Sequence, residues 1–146
     1  LQAVFVCSDT LMIHTTEIKI RGYHLDLYGH VNHARYLEFL EDARWGMMES
    51  GGSLDWFMQQ GYALVVSRVD IRYLRPATMG EELRVETRLE QLQERAVVIV
   101  QRVVKAATGK FVAEAEVTVA VLHPDNARAL LIAGEIATRL QPLLEN

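Results

Sequence analysis

At 146 residues, half of them hydrophobic, the chain is long enough to bury a single core and reads as one domain. A net charge of -4 leaves no basic footprint for nucleic acid, and the lone Cys7 has no partner for an internal disulfide or a thiolate metal site. The opening LQAVFVC lacks a basic n-region and is too short for a signal core or a membrane span, so a cytoplasmic protein is expected.

The chain begins with Leu, and Met12 offers a start of its own, so residues 1–14 read as an N-terminal extension ahead of a domain over 15–146. From Thr15 to Arg21 the residues Thr16, Ile18 and Ile20 alternate with Glu17, Lys19 and Arg21, the period of a half-buried strand. A polar loop follows, holding His24, Asp26, Gly29, His30, Asn32 and His33. From His33 to about Ser50, Tyr36, Phe39, Leu40, Ala43 and Met47 recur at helical spacing, against Glu38, Glu41, Asp42 and Glu49. Asn32 is placed to cap that helix, which would be about 25 Å long. Gly51 and Gly52 stop it, and Ser53 would cap a short helix ending at Gly61.

The second half changes period. Tyr62–Arg75, Glu82–Leu92, Arg95–Ala106 and Lys110–His123 read as long strands separated by turn residues. In the last of them Phe111, Ala113, Ala115, Val117, Val119 and Val121 form an apolar face opposite Glu114, Glu116 and Thr118. Sequential strands with short connections suggest an antiparallel meander. A long helix with an apolar stripe must lie on the sheet, because neither element hides its stripe alone, which gives an α+β architecture. The tail would add a short strand or turn over Ala129–Ile132, then a helix over Glu135–Leu144 interrupted at Pro142.

The loop carries the chemistry. A carboxylate in a glycine-containing loop forms an Asx turn or acts as a base, and both readings apply to Asp26. His30 and His33 have H-x-x-H spacing and with His24 and Asp26 could imitate a metal cluster; the competing reading is hydrogen bonding that holds the loop. Glu41 and Arg44 form either a surface ion pair or part of a site. Tyr36, Phe39, Leu40 and Met47 suit a core and also the lining of an apolar tunnel. Ser50, Ser53 and Ser67 lack the G-x-S-x-G setting of an activated serine.

The run DLYGHVNHARYLEFLEDAR from Asp26, followed by IRYLRPATMGEELRV from Ile71, resembles the hot-dog-fold acyl-CoA thioesterases of the 4-hydroxybenzoyl-CoA thioesterase group, nearest their bacterial long-chain acyl-CoA thioesterase III branch. The first motif is the specific one; the second is shared by many hot-dog proteins. The resemblance covers residues 15 to about 140. It implies a long central helix wrapped by a curved antiparallel sheet, and hydrolysis of acyl-CoA to free acid and CoA without a metal or cofactor. It makes Asp26 the catalytic base or nucleophile, and puts Asn32 and His33 at the helix start, where backbone N–H groups polarise the thioester carbonyl. His30, Tyr36, Leu40 and Glu41 fall around the substrate, with the acyl chain between helix and sheet. Two subunits would pair their sheets in a homo-oligomer, a dimer or a dimer of dimers.

The chemistry agrees with the resemblance. Thioester hydrolysis develops charge on the carbonyl oxygen, which the donors and dipole of a helix N-terminus stabilise, and the thiolate departs without a strong acid. Three alternatives remain at this level: an acyl carrier protein or aromatic acyl-CoA substrate, a hydratase or dehydratase using His30 with Glu41, and a non-catalytic acyl-CoA sensor. A sensor would carry a DNA-binding segment, and residues 1–14 have no basic cluster to serve as one. Arg72, Arg75, Arg84, Arg88, Arg102, Lys105 and Lys110 are available to CoA phosphates, with nothing to single one out.

Overall fold

Strand β1 (His14–Lys19) opens the computed structural model, which describes residues 13–144. It thus takes in His14 from the expected extension; residues 1–12 lie outside the described residues. A 3-10 turn (Gly22–His24) and the polar loop lead into α1 (His33–Ser50). All five stripe residues, Tyr36, Phe39, Leu40, Ala43 and Met47, are buried, while Glu38, Glu41, Asp42 and Glu49 face outward. Helix and first strand meet closely at Gly46, where an added Cβ would lie 2.7 Å from His14 Nε2.

The short helix α2 (Ser53–Gln59) is capped by Gly52 rather than Ser53. Gly52 sits at φ 71°, a left-handed backbone that costs glycine little, and Ser53 becomes the first helical residue. The Ser53 hydroxyl instead donates to the Arg139 carbonyl at 2.9 Å, tying α2 to the C-terminal helix.

The four expected strands form as β2 (Ala63–Tyr73), β3 (Glu82–Leu92), β4 (Val97–Lys105) and β5 (Phe111–Leu122). Their order is not a simple meander. The antiparallel sheet runs β1-β3-β4-β5-β2, so only β3, β4 and β5 follow one another in space. The β2–β3 link is not a hairpin turn. Its Leu74 and Arg75 amides donate to Val112 O, its Ala77 carbonyl accepts from Val31, and its Gly80 amide donates to Ile20 O. It therefore crosses from one edge of the sheet to β1 at the other.

Inward residues of the sheet, among them Leu83, Val85, Ile99, Val103, Val117 and Val121, join the α1 stripe in one core. Ala129–Ile132 forms no strand: Leu130 donates to Val121 O and Ile132 to Glu94 O. Helix α3 (Gly134–Leu144) continues past Pro142, because a proline so near the C-terminus forfeits only one amide bond while Ile136, Leu140 and Leu143 stay buried. Among the described residues no helix is long and apolar enough to cross a membrane.

Candidate active site

Residues 24–26 run antiparallel to residues 30–32. The Asn32 amide donates to His24 O (2.9 Å), Leu25 bridges Val31, and the Asp26 amide donates to His30 O (2.7 Å). The turn closes through Gly29, at φ 77°, whose amide donates to Asp26 O. Asp26 Oδ1 accepts the amides of Tyr28 (2.8 Å) and His30 (3.2 Å). One carboxylate oxygen thus builds the turn, and among the described residues Oδ2 accepts no hydrogen bond. The two readings of Asp26 coexist in one side chain.

Three residues after His30 the helix begins. Asn32 Oδ1 accepts the Ala34 amide (3.0 Å) and Asn32 O the Arg35 amide (2.9 Å). The His33 amide finds no acceptor among the described residues, so it is the donor that α1 presents outward. Its carbonyl accepts the Tyr73 hydroxyl (3.1 Å), and the two rings meet edge-on at 6.2 Å.

The second motif braces the first. Val31 donates to Ala77 O (2.9 Å) and His30 bridges Thr78. Glu81 in turn accepts the Thr78 amide (2.6 Å) and pairs with Lys105 (3.0 Å). The Thr78 amide bond holds the Glu81 carboxyl below its ordinary pKa, with Lys105 adding to it.

His24 points inward. Its Nδ1 accepts the Arg21 amide (2.8 Å), its ring meets Phe39 edge-on, and burial lowers its pKa. The histidines therefore do not converge, and no group of three or more His, Cys, Asp or Glu among the described residues is arranged to hold a metal. Tyr36 lies one turn into α1, 3% exposed, and its hydroxyl has no hydrogen-bond partner among the described residues. Burial, helped by the nearby Glu81, pushes its pKa to about 12.

The remaining site candidates lie farther along the helix. Leu40 is buried, and its carbonyl accepts Gln101 Nε2 (2.9 Å). Glu41 is nine residues past Asn32, about 13 Å of helix, and its carboxylate accepts the Trp45 indole N–H (3.4 Å) rather than pairing with Arg44. Arg44 donates to Gln101 Oε1 (3.0 Å). Glu41 and Arg44 stand in the wall of an apolar cavity of about 80 Å³ between α1, the sheet and α3.

Asp26, His30, Asn32 and His33 are thus brought together, with Tyr36 and Leu40 behind them and Glu41 apart. Sequence reasoning passed over Tyr73, Thr78, Glu81, Thr87 and Gln101. Gln101 left a signal, being the one polar residue on the inward alternation Val97, Ile99, Gln101, Val103.

Three comparisons place this geometry among known proteins. A profile of the thioesterase-like superfamily matches residues 20–140. The long-chain acyl-CoA thioesterase FadM of Escherichia coli is 38% identical over 130 residues, 89% of this chain and 98% of FadM. The crystal structure of the probable thioesterase YbaW from Escherichia coli superposes with a TM-score of 0.84 at 38% identity, covering 90% of this chain and 98% of the other. A 4-hydroxybenzoyl CoA thioesterase complexed with 4-hydroxybenzoyl CoA shares the fold at a TM-score of 0.79 and 15% identity, covering 88% and 98%.

Proposed function

The chain belongs to the thioesterase-like superfamily, a hot-dog-fold enzyme family, and from that premise we propose that it hydrolyses acyl-CoA, favouring long fatty acyl chains, to free acid and CoA. The near full-length likeness to a long-chain acyl-CoA thioesterase supports the substrate class. The observation that carries the mechanism is the pairing of a carboxylate having one unspent oxygen with a helix start having one unspent amide.

The thioester carbonyl oxygen sits at the His33 N–H, where the α1 dipole favours the charge that develops on it. Asn32 takes part by capping, since its side chain is committed to Ala34 and so leaves His33 as the outward donor. Asp26 removes a proton from water as the water attacks the carbonyl carbon; the tetrahedral intermediate then expels CoA thiolate, which takes up a proton. A second route uses Asp26 itself as nucleophile: its oxygen attacks the carbonyl carbon and expels CoA thiolate, and water then cleaves the mixed anhydride at the aspartyl carbonyl. Single-turnover hydrolysis in oxygen-18 water separates them, because only the second leaves label in Asp26.

His30 contributes through its backbone, fixing Asp26 and meeting Thr78. The acyl chain follows α1 past Tyr36 and Leu40 toward the apolar cavity beside Glu41. The enzyme works in the cytoplasm as a homo-oligomer. The free edge of β2 exposes Val65, Val66, Val69 and Tyr73 beside Leu37 and Trp45 of α1, an apolar strand edge of the kind that pairs with a second copy. The test is free-thiol release from a panel of acyl-CoAs. Turnover rising with chain length supports the reading, and no release from any of them refutes it.

A further inference from the structure

A cation in the wall of an apolar cavity needs a reason. Arg44 lines a partly open apolar cavity, among Met47, Leu64, Leu89 and Ile99, with Glu41 in the same wall. No ion pair among the described residues includes it. Its one hydrogen bond among the described residues is from Nη1 to the neutral Gln101 Oε1, at 3.0 Å. Glu41, one turn back on the same face, hydrogen-bonds Trp45 and forms no ion pair with Arg44, though its charge favours the guanidinium that burial disfavours.

The orientation of Gln101 is fixed. Its amide nitrogen donates to Leu40 O (2.9 Å) and Thr87 Oγ1 (3.0 Å), so only its oxygen can face Arg44. Gln101 and Thr87 are both 0% exposed. The network therefore grips one arm of the guanidinium rigidly and leaves its other donors to whatever occupies the cavity. A hydrocarbon tail laid there would strip those donors of water and return nothing. An acceptor oxygen on the tail would satisfy them, and a guanidinium presents its donors as a fork suited to that purpose.

Arg44 is eleven residues past His33, about 16 Å of helix, so a group reaching it belongs to the far part of the acyl chain and not to the thioester. We infer that Arg44 is a specificity-determining residue, held by Gln101, that selects acyl chains carrying an oxygen function, hydroxyl or carboxylate, toward the end remote from the thioester. This rests on the acyl-CoA reading above.

Two readouts test it separately from that reading. The first is binding of free fatty acids of one length, unsubstituted, ω-hydroxylated or ω-carboxylated, to the wild type and to Arg44→Leu by titration calorimetry. The second is kcat/KM for the matching acyl-CoAs. Wild type is expected to prefer at least one oxygenated form, and Arg44→Leu to lower the oxygenated-to-plain ratio at least tenfold in both readouts. The two oxygenated arms show whether hydroxyl or carboxylate is the fitting group. Should Arg44→Leu not fold, Arg44→Lys, which keeps the charge and loses the fork, is expected to lower the ratio at least threefold. A ratio within twofold of wild type in a folded variant, or a wild type that prefers the plain chain, overturns the proposal. No thiol release from any acyl-CoA, with the binding preference intact, would overturn the hydrolase reading and leave this one standing.

Discussion

Asp26 and His30 hold each other twice: the Asp26 amide donates to the His30 carbonyl at 2.7 Å, and the His30 amide donates to Asp26 Oδ1 at 3.2 Å. The arrangement requires the chain to reverse within three residues, which it does at Gly29 with φ 77°. Gly29→Ala meets no neighbour within 4 Å, so its cost is backbone strain alone, about 1 kcal/mol. We expect a drop of that size in denaturant unfolding, and a larger proportional fall in kcat than in 1/KM as the carboxylate shifts.

Asn32 separates capping from charge. Asn32→Ala removes the acceptor for the Ala34 amide and should cost about 1 kcal/mol of stability. Asn32→Asp keeps the cap but adds a negative charge where the proposed mechanism puts the developing oxyanion. Stability should hold in the aspartate variant while kcat falls at least tenfold. Equal activity in Asn32→Asp and wild type would argue against an oxyanion at this helix start.

Gln101 joins the half-buried Arg44 to the fully buried Thr87 and to the Leu40 carbonyl. Gln101→Leu fits the volume but strips three groups of their partner, so a loss of about 2–4 kcal/mol is expected in chemical denaturation. Thr87→Val removes only one acceptor and should cost less than half as much.

The pH dependence follows from His24. Burial, reinforced by Arg35, lowers its pKa from 6.5, and its Nδ1 accepts the Arg21 amide only when that nitrogen is unprotonated. The unfolded chain therefore binds the proton more readily than the folded one. The stability that neutral His24 contributes is whole above pH 6.5 and is lost as pH falls through the lower folded value. Unfolding free energy should decline between about pH 7 and pH 5, and the decline should be shallower in His24→Phe. An identical slope in the variant would remove His24 from the account.

Much of this was legible in the chain because it is local. The α1 stripe from Tyr36 to Met47, the Asn32 cap and the span of β3 all follow from spacing within a few residues. So does the gathering of Asp26, His30, Asn32 and His33, which share one short loop. What was not legible is what depends on partners far along the chain. The move of β2 to the far edge is decided by pairing with β5, some fifty residues later, and by a β2–β3 link that bonds to Val112 and Ile20. The same holds for Tyr73 on His33, Thr78 on His30 and Gln101 on Arg44. Gly52 displaced Ser53 as a cap because Ser53 had a better use, a bond to Arg139 eighty-six residues on.

The central claim is that the carboxylate of Asp26 performs the hydrolysis while its Oδ1 builds the loop. Asp26→Asn keeps an oxygen for the Tyr28 and His30 amides and removes the charge. Thiol release from a long-chain acyl-CoA by this variant, compared with wild type at matched folding, is the direct measurement. We expect kcat to fall about 10²–10⁴-fold with the unfolding midpoint nearly unchanged; a folded Asp26→Asn that works within threefold of wild type would contradict a catalytic role for the Asp26 carboxylate.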